Sequence, residues 1–411
     1  MNYCTRCLYP ENHPFNLTFD ENGVCSGCRI HEEKDTINWD ERKEMLREIL
    51  EKYRCRNGSN YDCIIPVSGG KDSHYQTYVI KEMYGLNPLL VTFNHGMNTK
   101  RGIRNLENLV TKFNCDHLRY TMKPSLFKKL ARLAMKKMGD MCWHCHAGIT
   151  TYPVQIAAKF KVPLIVWGEN QWSDYVGMFS LHDLVEMTKK VRKEHGLRGY
   201  DYEDMINEEE GITKADLTPF MYPSDEELEE VGVRGIYLNN FLRWDAKEQT
   251  EVMIQKFGFE TGPQERSWNC YENVECFHCS GAHDYLKFLK FGYGRATDHA
   301  VIDIRLGRIT REEGIRLVEQ YDGKRPADVD IFLKWVGMTE EEFLTCIEPM
   351  RDARAWEKDT KGNWKRKDSV SNYLNDPRVD KVRLPLKKDG DNHYILTPVP
   401  PPKGDNEYIL M

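Results

Sequence analysis

The apolar positions of this chain follow two different periods. Short apolar runs stand at 63–67, 88–94 and 162–167, with another at 117–120. Each is too short for a helix, which predicts buried strands. Between them the spacing changes to threes and fours. Met45, Leu46, Ile49, Leu50 and Tyr53 form one stripe, and Asn38 with Glu41 three residues later supplies a capped start. Ile103, Leu106, Val110 and Phe113 form a second stripe, and 126–138 a third. A helix is also predicted over 72–84, ended by Gly85. Strands that alternate with helices predict an α/β fold with a doubly wound, mostly parallel sheet. Ligands of such sheets gather at the carboxyl ends of the strands. That rim would carry residues 67–73, Asn94-His95 and Gly168-Glu169-Asn170.

The same patterning divides the chain into five parts. Residues 1–36 form a cysteine-rich module, and 37–171 the α/β domain. Residues 172–240 are rich in Asp and Glu, with His182, Asp183 and Glu186. They predict an insertion with a long charged helix, a candidate lid. Residues 241–383 form a smaller helical region for substrate and metal. It has a helix over 246–257, a polar loop over 292–299, and a helix capped by Thr310 with Glu313 and ended by Gly323. In 384–411, Gly390-Asp391-Asn392-His393-Tyr394-Ile395-Leu396 nearly recurs at Gly404-Asp405-Asn406-Glu407-Tyr408-Ile409-Leu410. Two copies do not make a solenoid.

Chemistry concentrates where the first strand meets its helix, at Ser68-Gly69-Gly70-Lys71-Asp72-Ser73. Strand, glycine-rich turn and helix start bring backbone N–H groups and a positive helix end against a phosphate. Adjacent glycines let the backbone approach an anion without a Cβ in the way. Lys71 adds a mobile charge, and Ser68 and Ser73 add hydroxyl donors. The spacing excludes two other phosphate loops. A Walker A loop needs Gly where Ile65 stands and Ser or Thr where Asp72 stands, and Lys71-Asp72 breaks the dinucleotide pattern.

The net charge of −6 over 411 residues gives no basic footprint for nucleic acid. No window approaches a membrane span, and the start does not read as a signal peptide. Of thirteen cysteines, eight fall in four Cys-x-x-Cys pairs, which reads as metal ligation in a cytoplasmic protein. Cys4-x-x-Cys7 and Cys25-x-x-Cys28, seventeen residues apart, fit a four-thiolate zinc ribbon, with an iron–sulfur cluster as the runner-up. Cys142-x-x-Cys145 and Cys276-x-x-Cys279 predict a second metal site, zinc or iron–sulfur, with His144, His146 and His278 as substitutes or supporting groups. Arg295, Arg305 and Arg308 near a glycine-rich loop are candidates for a sugar diphosphate.

The Ser68–Ser73 loop resembles the PP-loop, S-G-G-x-D-S, of the ATP pyrophosphatase superfamily. Several motifs together narrow the resemblance to the N-acetyl sugar amidotransferases of surface-polysaccharide and nonulosonic-acid biosynthesis. These are the loop, the ribbon, Cys142-x-x-Cys145, Trp167-Gly168-Glu169-Asn170, Tyr237-Leu238 with Trp244-Asp245, Glu275-Cys276-x-x-Cys279, and the run from Ile304 to Glu313. The resemblance implies a PP-loop fold with a zinc ribbon. It also implies an ATP- and Mg²⁺-dependent conversion of an acetamido group, on a sugar or nucleotide sugar, to an acetamidino group. Lys71, Asp72 and Glu169 would be catalytic. Ser68, Gly69, Gly70, Lys71, Asp72, Ser73, Asn94, His95 and Gly168 would bind the nucleotide, and Asn170, Arg295, Thr297 and Arg305 the substrate. Ammonia is expected from a separate glutaminase subunit, since Asn2 stands where a glutaminase nucleophile would need Cys. Neither a membrane nor a nucleic acid is an expected partner. The alternative is a tRNA-thiolating enzyme, whose relatives share the PP-loop, zinc ribbons and clustered cysteines.

Overall fold

The computed structural model describes residues 1–387 and Leu396, so the repeated tail of the sequence lies outside the described residues apart from that leucine. Five parallel strands form the central sheet: β1 (Cys63–Pro66), β2 (Pro88–Asn94), β3 (His117–Thr121), β4 (Leu164–Trp167) and β5 (Arg234–Tyr237). Their order is β3-β2-β1-β4-β5, so the chain reverses its direction of winding between β1 and β4. A crevice opens at that reversal, above the carboxyl ends of both strands.

Side-chain alternation along the strands makes two layers of core. Cys63, Ile65, Leu90, Leu164, Val166 and Ile236 face one way, against Leu46 and Leu50 of the helix Trp39–Tyr53 and Leu106, Leu109 and Phe113 of the helix Lys100–Phe113. Ile64, Leu89, Val91, Ile165 and Tyr237 face the other way, against Val154, Ile156 and Ala157 of the helix Trp143–Phe160. Both faces are therefore covered, as a parallel sheet requires. Among the described residues no helix is long and apolar enough to cross a membrane.

Three expectations are corrected. The helix predicted over 72–84 is α-helical only for Lys71–Thr77, and widens to π-helical turns over Tyr78–Met83. The segment 172–240 holds no long charged helix. Gly199, Gly211, Pro219 and Pro223 cut it into short turns, and its longest α-helix is the seven-residue Asp225–Val231. It also supplies β5, which pairs with β4. The polar stretch 292–299 is helical from Arg295 and runs to Arg305. Its buried Ala296, Ala300 and Ile304 recur every four residues and pack on the cysteine module, and that burial overrides the local glycine and polar signal.

The cysteine module does not stand apart. Leu8, Tyr9, Leu17 and Val24 share one core with Tyr293, Val301, Ile309, Ile315 and Val318, so helices Arg295–Arg305 and Arg311–Tyr321 are its floor.

Candidate functional site

The loop after β1 sits at the crevice. Gly69 adopts φ +88°, and a Cβ there would come within 2.7 Å of the Gly102 carbonyl oxygen. Gly70 has an ordinary backbone, but a Cβ there would approach the Glu275 carboxylate to 2.8–3.1 Å. The loop is self-braced: the Ser68 N–H donates to Ser73 Oγ at 2.9 Å, and the Gly70 N–H donates to Ser68 Oγ at 3.2 Å. Ser68 Oγ also donates to Glu275 Oε1 at 3.2 Å. These two glycines predict different losses. Gly69→Ala should lose about 1–3 kcal/mol of stability from backbone strain. Gly70→Ala should melt near the parent temperature yet bind ATP at least about tenfold more weakly, because its methyl group displaces the Glu275 carboxylate that braces the loop. Thermal melts beside equilibrium ATP binding check both.

Lys71 is buried with its Nζ 2.7 Å from Asp72 Oδ1 and 3.3 Å from Glu272 Oε2. Burial works against its charge, but Asp72, Glu272 and Glu169 outweigh it and hold the ammonium above the usual lysine range. The acids respond to the same burial. Glu169 is pushed well above the carboxylate range by burial and by Asp174, with Lys71 opposing. Burial also raises Glu272, against Lys71, and Glu275. One ammonium thus stands among four carboxylates. Buried oxygen donors in excess of their counter-charge fit a hard cation such as Mg²⁺, and Asp72, Glu169 and Glu272 are the residues that could hold it.

The rest of the rim is fixed around this cluster. The Asn170 N–H donates to Asn239 Oδ1 at 3.0 Å, and Asn239 donates to Asp174, which pairs with Lys34 at 2.6 Å. The Asn170 amide nitrogen is buried without an acceptor among the described residues. Gly168 leaves room for Gln76, whose side chain would stand 3.1 Å from a Cβ there. Asn94 is occupied: it donates to Thr121 Oγ1, and its oxygen accepts from the Gly96 N–H and from Asn98. Burial lowers His95 to about 4, so its ring is neutral. Its Nδ1 accepts from the Met97 N–H, which leaves Nε2 as a buried donor with no partner among the described residues. A cavity continues from Glu169 and Glu272 past Asp174, Tyr175, Trp244 and Asp303. Burial, opposed by Arg308, raises Asp303 to about 7.

The arginine and threonine candidates separate. Arg295 stays near the cluster, with Nε 3.6 Å from Asp284 and Nη1 3.8 Å from Asp298, and its charge reaches Glu272. Thr297 and Arg305 do not join it. The Thr297 hydroxyl donates to Asp322 at 2.5 Å, and Arg308 is bound by Asp245. Arg305 is buried under the cysteine module, with Nε 3.4 Å from Cys28 Sγ and Nη2 3.6 Å from Cys25 Sγ.

The four amino-terminal cysteines close completely. All are buried, with Sγ–Sγ separations of 4.0 Å for Cys4–Cys28 and 3.7 Å for Cys7–Cys25. A tetrahedral ion with bonds of about 2.3 Å to sulfur has edges of about 3.8 Å, so the set fits one metal ion. Backbone N–H groups of Cys7 and Cys25 point at Cys4 Sγ, as supporting donors to a thiolate do. The other two pairs are brought to one place by backbone pairing of 97–99 with 274–277. They lie within each other's electrostatic reach, and the Cys145 thiol points at the His95 carbonyl. Among the described residues they do not close into a four-sulfur set like the first.

Glu272 and Glu275 were missed as site residues. Glu275 stood in the sequence next to Cys276, but only the pairing of 274–277 with 97–99 shows that this loop closes over residues 68–71.

Residues 265–370 match the family described as LPS biosynthesis protein WbpG-like, C-terminal domain. An uncharacterized protein of Methanocaldococcus jannaschii is 28% identical over 113 residues, which make up 28% of this chain. The chain spans 40% of that relative's length. Among solved structures, an NMN synthetase of Francisella tularensis is 18% identical, matching 54% of this chain and 87% of its own with a TM-score of 0.27. An NH3-dependent NAD synthetase of Campylobacter jejuni subsp. jejuni is 12% identical, matching 54% of this chain and 97% of its own with a TM-score of 0.28. The part of the chain that carries Glu272, Glu275, Cys276, Cys279 and Arg295 is thus the part similar to a lipopolysaccharide-biosynthesis family.

Proposed function

We propose that this chain is a PP-loop, AMP-forming amidotransferase that converts an acetamido group of a sugar or nucleotide sugar to an acetamidino group. The observation that carries the reading is the Ser68–Ser73 loop with Lys71 ringed by Asp72, Glu169 and Glu272 at the sheet's reversal point. The match of residues 265–370 to an LPS-biosynthesis family supports a glycan substrate.

An amide oxygen is a poor leaving group, so it must first be made a good one. Backbone N–H groups of Gly69 and Gly70 and the Ser68 and Ser73 hydroxyls cradle the β- and γ-phosphates of ATP. Lys71 offsets charge that builds on the phosphate oxygens as the amide oxygen attacks the α-phosphorus and pyrophosphate departs. Asp72 and Glu272 would hold Mg²⁺, which would supply further charge neutralisation. Ammonia then adds to the amide carbon, and AMP leaves with the former amide oxygen. Glu169 receives the proton that the entering nitrogen loses. Asn170 and Arg295 orient the sugar. Zinc at Cys4, Cys7, Cys25 and Cys28 is structural, and a separate glutaminase subunit supplies the ammonia.

The test is release of AMP and pyrophosphate from ATP, Mg²⁺ and ammonium with a panel of N-acetyl nucleotide sugars. Success is release coupled to a fall of about one unit in the sugar's mass, the exchange of oxygen for NH that adenylation and amination require. A second reading, tRNA thiolation, draws on one observation: two cysteine pairs gather beside His95 at the rim. AMP release that depends on tRNA and ignores every sugar favours it and sinks the first.

A further inference from the structure

We propose a second metal site that is not a four-thiolate set: Asp140, Cys142 and His283 bind one zinc-class divalent ion. Their ligand atoms all lie within 4.8 Å of one another. Asp140 Oδ1 stands 3.5 Å from His283 Nε2, close to the edge of about 3.3 Å that two ligands make when each binds a tetrahedral ion at about 2.0 Å. The Cys142 N–H donates to the same Asp140 oxygen at 2.7 Å and fixes the carboxylate beside the thiol. The His283 Nδ1 is buried and has no hydrogen-bond partner among the described residues. His146 stands against His283 edge to face, with ring centroids 5.7 Å apart, and packs the imidazole in place.

The donor set chooses the class of ion. One thiolate, one imidazole and one carboxylate suit zinc and its late-transition neighbours, whereas Mg²⁺ would want oxygen alone. Three protein ligands also leave a coordination position for water. Arg198 lies 3.6 Å from the other Asp140 oxygen, so the carboxylate is part-neutralised from outside while Cys142 and His283 face the ion.

The location gives the ion a task. Asp140 and Cys142 lie between the helices Pro124–Met138 and Trp143–Phe160 of the α/β domain. His283 precedes the helix Asp284–Phe291, inside the segment 265–370. Lys290 of that helix already donates to the Gly139 carbonyl at 2.9 Å. An ion here clamps the Glu272–Glu275 loop's own region to the domain that carries Lys71.

Metal content of the full chain, loaded with zinc and then dialysed, tests the site. The parent should retain two ions per chain, one in the ribbon and one here. His283→Ala and Asp140→Asn should each retain one, while Cys276→Ser and Cys279→Ser retain two. Circular dichroism confirms folding of each variant. X-ray absorption on the zinc-loaded parent needs no variant, and should show nitrogen or oxygen neighbours beside sulfur. The proposal is overturned by a single ion in the parent, by a sulfur-only shell, or by loss of the second ion in Cys276→Ser with its retention in His283→Ala.

Discussion

Replacing Lys71 with alanine is expected to reduce AMP formation by at least about 10²–10³-fold, the usual loss when a preorganised charge at a developing anion is removed. The side chain is buried and makes its closest contacts with Asp72 and Glu272. Its removal therefore takes away the ammonium that contacts these acids, and leaves only the more distant charge of Arg295 on Glu272. Buried carboxylates that lose a counter-charge take up protons instead. Glu169, Glu272 and Glu275 are already displaced in that direction by burial. The variant should thus fold at neutral pH and melt within a few degrees of the parent, while its turnover collapses. Lys71→Arg should not restore the rate, because a planar guanidinium cannot replace a compact ammonium held between two carboxylates. Steady-state AMP release beside a thermal melt checks this, and turnover within tenfold of the parent would remove Lys71 from the mechanism.

Cys25→Ser should have the largest effect on stability. One lost thiolate opens the tetrahedron, and structural zinc in small modules is worth about 10–16 kcal/mol of binding energy at neutral pH. The loss spreads, because the module shares a core with the helices Arg295–Arg305 and Arg311–Tyr321. Arg311 donates to the carbonyls of Cys4 and Cys7, and Arg305 reaches two of the sulfurs. Four thiolates on a divalent ion leave net negative charge, and the buried guanidinium of Arg305 offsets part of it. Arg305→Gln should therefore shed zinc faster to a chelator although it removes no ligand. Zinc release followed by a colorimetric chelator reads both variants, and unchanged release in Cys25→Ser would refute the ribbon.

Local signals explain what could be read in advance. The apolar run before Ser68, the glycine pair and the helix after it are contiguous, so sequence alone defines the loop. Cys4, Cys7, Cys25 and Cys28 declare themselves by spacing, and β2 and β4 by unbroken apolar runs. What stayed hidden depends on distant partners. Arg295 to Arg305 reads as polar and glycine-flanked until the ribbon buries Ala296, Ala300 and Ile304. The acidic segment hides β5 because Gly235, Ile236 and Tyr237 are too few to stand out, and they become a strand only by pairing with β4. Arg305 looked like a phosphate ligand because nothing local distinguishes a guanidinium that meets an anion from one that meets thiolates. Glu272 and Glu275 lie some two hundred residues after Ser68, and are placed by the Thr99–Glu275 backbone bond.

The docking of the cysteine module on late helices also has a consequence for synthesis. Cys28 and Arg305 are separated by 277 residues. At translation speeds of about 5–20 residues per second, the thiolates leave the ribosome about 15–55 s before their guanidinium partner and their apolar floor exist. During that interval the nascent module competes for metal with its sulfurs exposed to oxidants. Cellular zinc supply and thiol redox state would thus bear on yield at the ribosome, before the helices that floor the module exist.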